Sequence, residues 1–430
     1  MINARQSFFR ERENIFAAAV LFFIASLFFS FAVALKVFVM GLLVLIALLY
    51  NSINQKFILL KHRKYTWFML AFACILLASF LLSQNRSDGG RFLQLRLPLF
   101  LFPISIGLLH ITKEQRNKIL MGCSVVVTIA CLVSLCFAVA RYQQTNNTAW
   151  LYNDALTLFI GQQSIYTSLL VNISIYVYAW HLFYTPVTRN RKILIIAGIS
   201  VLFVISYLLA SRNMMLILYT SAIIFSFYFM LKKKKYLEGL VLLLGMMLAV
   251  VLVFKFFPQT INRFRELAYT QFDFQSQAKE SHYAGDLTPD QWNGANFRLA
   301  AWQCGWQLFK EQPLVGVGLG DKRDELLRVY AQKEFHFAIN TKKNVHNNYL
   351  DILYSTGVAG LLLFLTGWLV FPFITVIKQR DGLAFIVLLT LAIAMLTENY
   401  FDRSLGAILF PFFVTFLLAS AHTPLSRPLT

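Results

Sequence analysis

The sequence predicts an all-α polytopic membrane protein with about twelve transmembrane helices and a large helical loop, outside the bilayer, ahead of the last three. Three observations carry this. Of 430 residues 58% are hydrophobic and 14% charged, with 42 Phe and a mean hydropathy of +0.61. A soluble chain of this length has no core large enough to hide that much apolar surface. The apolar residues fall in runs near the roughly 20 residues that cross a hydrocarbon layer. The basic residues sit in short clusters between those runs, so the net charge of +19 reads as membrane topology and not as a nucleic-acid surface.

Taken in order, the runs lie near 14–35, 37–52, 66–84, 94–110, 117–140, 158–184, 193–211, 213–231, 236–257, 349–376, 382–397 and 405–421. The chain thus divides into nine spans in 1–257, a loop domain in 258–348 and three spans in 349–430. Arg5, Arg10 and Arg12 precede a first run of spanning length, not the shorter core of a cleaved signal. With the N-terminus in the cytoplasm, twenty basic residues, among them Arg63, Lys113, Arg116 and Lys232 to Lys235, face inwards. The short outer loops hold seven: Lys36, Arg86, Arg91, Arg96, Arg141, Arg212 and Arg403. The positive-inside rule then puts both termini in the cytoplasm and 258–348 outside.

That polar segment carries ten of the twenty acidic residues, as a solvated domain would. Asn296 to Gln312 reads as an amphipathic helix, with Phe297, Ala301, Trp302, Trp306 and Phe309 at helical spacing. Pro313 and Gly316-Val-Gly-Leu-Gly320 break the chain, and Asp321 is placed to cap a second helix through Leu326, Leu327 and Tyr330. Residues 273–290, rich in Asp, Gln, Ser and Gly, read as a mobile loop. Cys74, Cys123, Cys131 and Cys136 lie in apolar runs and Cys304 stands alone, a pattern of packing residues without a disulfide framework. No Asp-x-Asp pair, Walker lysine loop or His-Glu-x-x-His occurs, so no metal, nucleotide or other cofactor is expected. Ionisable residues are scarce within the spans, which weighs against an ion-coupled transporter, exporter or flippase.

His346 lies in Lys343-Asn-Val-His-Asn-Asn-Tyr-Leu-Asp351, where the polar segment runs back into an apolar span. A histidine at a helix start usually serves only to hydrogen-bond there. Here Asn347 and Tyr349 add donors and acceptors at the same mouth, with Asp351 one turn on. A neutral imidazole can take the proton of a sugar hydroxyl. His336, among Phe335, Phe337 and Ile339, reads as packing. Arg212 follows Ala210-Ser211 at an outer span end, and the next span begins at Met214. The alternative is a snorkelling arginine, but a turn this tight holds a guanidinium fork that suits a phosphate. Arg298, one turn before Trp302, has the same chemistry, as do Arg263 and Arg265 in Asn262-Arg-Phe-Arg-Glu266. Arginines gathered at the outer face with no acidic cluster beside them would bind a diphosphate.

These residues resemble the O-antigen ligase and O-antigen polymerase superfamily of membrane glycosyltransferases, the ligase branch above all. His346-Asn347, Gly357 and Gly360 fit one spacing of that branch, and Arg212 with Leu216 fits its Arg-x-x-x-Leu at an outer membrane edge. Arg298, Trp302, Pro313 and Gly316-Val-Gly318 look like its loop pattern. The resemblance implies a metal-independent, inverting transfer at the periplasmic face of the bacterial inner membrane. It implies a glycan donor on undecaprenyl diphosphate and an acceptor sugar hydroxyl, on lipid A–core in the ligase case. His346 would then be the general base, and Arg212 and Arg298 would hold the diphosphate. A polymerase extending lipid-linked glycan, or a protein O-glycosyltransferase, shares the same architecture.

Overall fold

In a computed structural model, residues 2–29, 32–234, 236–256, 264–265, 268–278, 280–281 and 291–421 are described. Among them the one extended pairing is an isolated bridge between Glu280 and Trp292; the ordered elements are otherwise helical. The chain opens with α1 (Ile2–Ser26), α2 (Val33–Tyr50), α3 (Ile53–His62) and α4 (Lys64–Leu82). Next come α5 (Arg86–Arg96), α6 (Pro98–Ile104), α7 (Lys113–Thr145), the single turn α8 (Asn153–Leu156) and α9 (Ser164–Tyr184). Then follow α10 (Arg189–Leu208), α11 (Arg212–Lys233) and α12 (Tyr236–Phe256). The polar segment contributes α13 (Asn296–Glu311), α14 (Lys322–Gln332) and a short α15 (His336–Thr341). Last are α16 (Asn348–Phe364), continued through a π-helical stretch into α17 (Phe371–Lys378), then α18 (Gly382–Ala394) and α19 (Ser404–Ala419).

The chain is a multi-pass membrane protein. Among the described residues six stretches are long and apolar enough to cross a bilayer: Lys64–Leu82, Arg86–Leu108, Lys113–Thr145, Arg189–Leu208, Arg212–Lys232 and Asn348–Lys378. A seventh is counted if α2 and α3, bent by 94° at their junction, act as one. α18 and α19 are apolar but only 13 and 16 residues long, short of the roughly 20 that span without thinning or tilt.

Two buried clamps hold the ends of this bundle, and they use three arginines that the sequence reading assigned to loop topology. Arg63, only 3% exposed, donates to the carbonyls of Gly107 (2.6 Å), Leu109 (2.7 Å) and Ala419 (3.2 Å). These are helix-end carbonyls with no intrahelical partner, so a buried cation there satisfies them. Arg116 pairs with Asp381 (Nη2 to Oδ1, 3.2 Å) and donates to the Ser420 hydroxyl (3.0 Å). At the other end of α19, about 24 Å away by helix rise, Arg96 and Lys322 face Asp351 and Asp402. Arg96 lies 2.9 Å from Asp351 and 3.1 Å from Asp402; Lys322 lies 2.8 Å and 2.6 Å from them. Two cations and two anions balance, which removes the penalty of burying any one. Asp351 is therefore part of this clamp and not of the mouth beside His346.

The polar segment has its own aromatic core, in which Trp292, Phe297, Phe335 and Tyr330 pack with Val345 and Leu350. α13 and α14 fall where the hydrophobic spacing placed them. Asp321 does not cap α14 through its side chain. Its carboxylate instead accepts the Gln84 and Asn85 backbone N–H groups (2.9 and 2.7 Å), tying the segment to the start of α5. The glycine-rich turn docks against α16: the Val317 and Gly318 N–H groups donate to Tyr354 and Ser355 carbonyls (2.8 and 3.1 Å). This close approach needs Gly357, which breaks helical geometry inside α16 at φ 70° and whose Cβ would overlap the Leu314 carbonyl. Residues 279 and 282–290 of the expected mobile loop lie outside the described residues.

Candidate functional site

The site forms where α16 begins. Asn347 caps that helix: its side-chain oxygen accepts the Tyr349 and Leu350 N–H groups at 3.0 and 3.1 Å. His346 therefore lies just outside the helix, in a left-handed conformation (φ 47°). Its own N–H donates to Asn344 Oδ1 (3.0 Å). The Phe297 ring meets the imidazole edge-on at 5.8 Å. On its other side Nδ1 lies 3.1 Å from Glu398 Oε2, with 21% and 12% of the two side chains exposed.

Burial pushes the Glu398 carboxyl up, but His346, Arg298 and Arg403 outweigh it and hold it down to about 2. An ionised carboxylate only accepts, so Nδ1 carries the proton that joins the pair. In the neutral ring this leaves the Nε2 lone pair as the basic position. The arrangement is that of an oriented base whose protonated form is stabilised by a fixed anion.

Glu398 belongs to the turn 395–403 between α18 and α19, and this turn gathers the rest of the site. The Asn348 N–H donates to Met395 O (2.9 Å), and the Phe401 N–H to Asn348 Oδ1 (3.0 Å). Arg298 Nε donates to the Thr397 carbonyl (3.0 Å), and Asn213 Nδ2 to the Thr397 hydroxyl (2.7 Å). Arg212 opens α11 after a three-residue turn in which Ala210 is left-handed (φ 48°). Its guanidinium lies over the Cα of Gly294, whose carbonyl accepts from Arg298 Nη1. Both guanidiniums crowd the space a Cβ at 294 would fill, so no more than about 5 Å separates them. Like charges held this close suit a polyanion between or beside them.

The fold thus brings His346, Arg298 and Arg212 together through Thr397 and Glu398. Arg265 is exposed; its neighbour Phe264 packs near Tyr207 and Met215, by the Arg212 turn. Arg263 lies outside the described residues. The oxygen of Asn347 is engaged in its cap, and the Tyr349 hydroxyl donates to the Ala392 carbonyl (2.7 Å), so both fix the helix start. Trp302 donates to the Val345 carbonyl (2.9 Å) and steadies the strand of chain leading to His346. His336, expected as packing, is exposed: it opens α15, and Phe335 and Ala338 face the core in its place. Among the described residues no three His, Cys, Asp or Glu side chains gather as a metal site requires.

Sequence reasoning missed Glu398, Thr397, Asn213 and Gly294. The expectation is of arginines with no acidic cluster beside them; one carboxylate, Glu398, lies within electrostatic reach of Arg298. It is 52 residues from His346 in sequence, and no local spacing rule connects them. The available signal was an acidic residue at the end of an apolar run, where one faces the interface or a partner.

No curated protein matches this sequence. Residues 197–365 match the family model described as O-antigen ligase, a stretch that runs from within α10, through the polar segment, to the end of α16. It holds Arg212, Arg298 and His346, and over it the chain is similar to the O-antigen ligase family.

Proposed function

We propose that the protein is a membrane glycosyltransferase that moves a glycan from undecaprenyl diphosphate to a sugar hydroxyl, on lipid A–core, at the periplasmic face of the bacterial inner membrane. The observation that supports this most is the joining of His346, through Glu398, to the turn that also holds Arg298 and Asn213 beside Arg212. In this reading the acceptor hydroxyl gives its proton to His346 Nε2 as its oxygen attacks the anomeric carbon. The bond from that carbon to the diphosphate breaks, and the electron pair leaves with the lipid diphosphate. Glu398 stabilises the imidazolium, while the Arg212 and Arg298 guanidiniums stabilise the charge growing on the leaving group. Attack from the face opposite the diphosphate inverts the anomeric centre. No step asks for a metal or a nucleotide.

The topology that goes with this reading has twelve spans: the six long stretches, the α2–α3 pair, and α1, α9, α12, α18 and α19. Both termini are then cytoplasmic, 258–348 forms the periplasmic domain, and Arg265, with its sequence neighbour Arg263, is assigned to the diphosphate. The test is transfer by purified protein in proteoliposomes, from lipid-linked glycan and without ATP or divalent metal. Wild type should release undecaprenyl diphosphate and glycosylate lipid A–core; His346→Ala should insert and fold but lose transfer by 10²–10⁴-fold. Transfer at the normal rate in His346→Ala would overturn the base assignment. Extension of a second lipid-linked glycan, with lipid A–core left untouched, would make the protein a polymerase instead.

A further inference from the structure

We infer that the polar segment is anchored in the bilayer by a wedge, made of the Leu314–Val315 tip and the C-terminal end of α13, that inserts among lipid acyl chains. Leu314 and Val315 are 74% and 69% exposed, the largest values among the described large apolar residues of this segment, and Trp306 is 48% exposed. A soluble domain has no reason to present such a tip to water.

Its depth follows from contacts between helices. Ser79 of α4 bonds the Ser355 carbonyl of α16 (3.4 Å), so these two residues are level. A Cβ on Gly360 would lie 3.5 Å from Ile75, and one on Gly367 would lie against Phe68 and Met69. α4 and α16 therefore run side by side, and position 357 falls between the levels of Ser79 and Ile75. The Leu314–Val315 backbone rests on Gly357, and the Val358 N–H donates to the Pro313 carbonyl (2.9 Å). This is about 5–8 Å below the Leu82 end of α4 at 1.5 Å per residue. α4 is a 19-residue span of hydropathy 2.1, about as long as the hydrocarbon is thick, so its last two turns lie in lipid. Leu77, Leu81 and Leu82 there are 46%, 53% and 81% exposed, as lipid-facing residues are. The tip continues that surface.

The chemistry of the α13 end agrees. Trp306 pairs with Phe309 at 4.9 Å, and Lys310 follows on the exposed side with Gln303 and Leu299. Tryptophan and lysine are the residues that sit at the membrane–water boundary, one by its amphipathic ring and the other by snorkelling. The occupant is therefore the acyl region of the bilayer, with the indole of Trp306 nearer the headgroups. A consequence is that the arginine-bearing α13 keeps a fixed height above the membrane, because its far end is anchored in it.

The inference does not rest on the proposed function, and its test reads no activity. Val315→Cys and, as an aqueous control at the same end of the bundle, Gln144→Cys are prepared in the full chain in proteoliposomes. Each is treated with a membrane-impermeant methanethiosulfonate and, separately, with a bilayer-dissolved alkyl maleimide. Modification is read by mass spectrometry on the peptide carrying the new cysteine. Val315→Cys should react with the impermeant reagent at least 10-fold more slowly than Gln144→Cys, and readily with the lipophilic one. Equal rates with the impermeant reagent would place the tip in water and overturn the wedge. Protection from both reagents would mean that protein, such as a second copy of this chain, covers the tip, and would overturn lipid as the occupant.

Discussion

Gly294→Ala is the substitution that most directly tests whether two guanidiniums act as one anion site. A Cβ there would overlap Arg212 Nη2, stand 3.4 Å from its Cζ and press on Arg298 Nη1 at 3.0 Å. Gly294 does not have a positive φ, and no backbone atom is among the close neighbours, so alanine fits the chain conformation. What must move is the far end of Arg212, by about 1 Å to restore an ordinary contact near 3.5 Å. Misplacement of that size in a group that positions a substrate costs about 10²-fold in rate, or about 2.7 kcal/mol of transition-state stabilisation. In steady-state transfer with varied lipid-linked donor, kcat/KM for the donor should fall about 10²-fold. The KM for the acceptor and the thermal midpoint should hold. If the effect runs through Arg212, it should largely vanish in an Arg212→Ala background, because neighbours that act together are not additive. Activity within about twofold of wild type, or an undiminished loss in that background, would refute the reasoning.

Three further outcomes follow from the geometry. Lys322→Met leaves Asp351 and Asp402 facing Arg96 alone and should cost about 3–5 kcal/mol; Lys322→Met with Asp402→Asn restores neutrality and should recover most of it. Equal losses in thermal unfolding would mean charge balance is not what holds the clamp. Gly357→Ala demands a left-handed alanine against the Leu314 backbone and should prevent accumulation of folded protein, whereas Gly90→Ala in α5 meets nothing within 4 Å and should shift stability by no more than about 1 kcal/mol. Monodispersity on size exclusion separates the two. Glu398 has its carboxyl lowered to about 2. Its contribution to stability is thus complete above the ordinary carboxylate value and lost as pH falls towards 2. It is worth on the order of 3 kcal/mol near neutrality. Between pH 6 and 3 the thermal midpoint of wild type should fall more steeply than that of Glu398→Gln; parallel curves would remove Glu398 as the titrating group.

Much of this protein is legible without coordinates because membrane solvation acts locally. A predominantly apolar run of 19 residues such as 64–82 must become a helix in lipid, since every backbone polar group has to be satisfied within the segment. The amphipathic spacing of Phe297, Ala301 and Trp302 likewise bounds α13 within a residue. The tight turn ahead of Arg212 needs only Leu209, Ala210 and Ser211 between two helices. Charge patterns are a weaker guide. A basic residue at a span end reads the same whether it faces water, as an ordinary topology charge does, or is drawn inside, as Arg63, Arg96 and Arg116 are. That choice depends on whether carbonyl ends or carboxylates from distant elements arrive to meet it.

The sequence by itself determined the helices and the class and pointed to the three basic groups of the candidate site, because composition and short-range periodicity are properties of a segment and its solvent. Only the tertiary structure decided that Glu398 would orient His346, that Gly294 would hold Arg212 against Arg298, and that Asp351 would be locked into a buried clamp. Each of these joins residues tens to hundreds of positions apart. Their energies arise from desolvated charges and backbone contacts that exist only after the helices have packed.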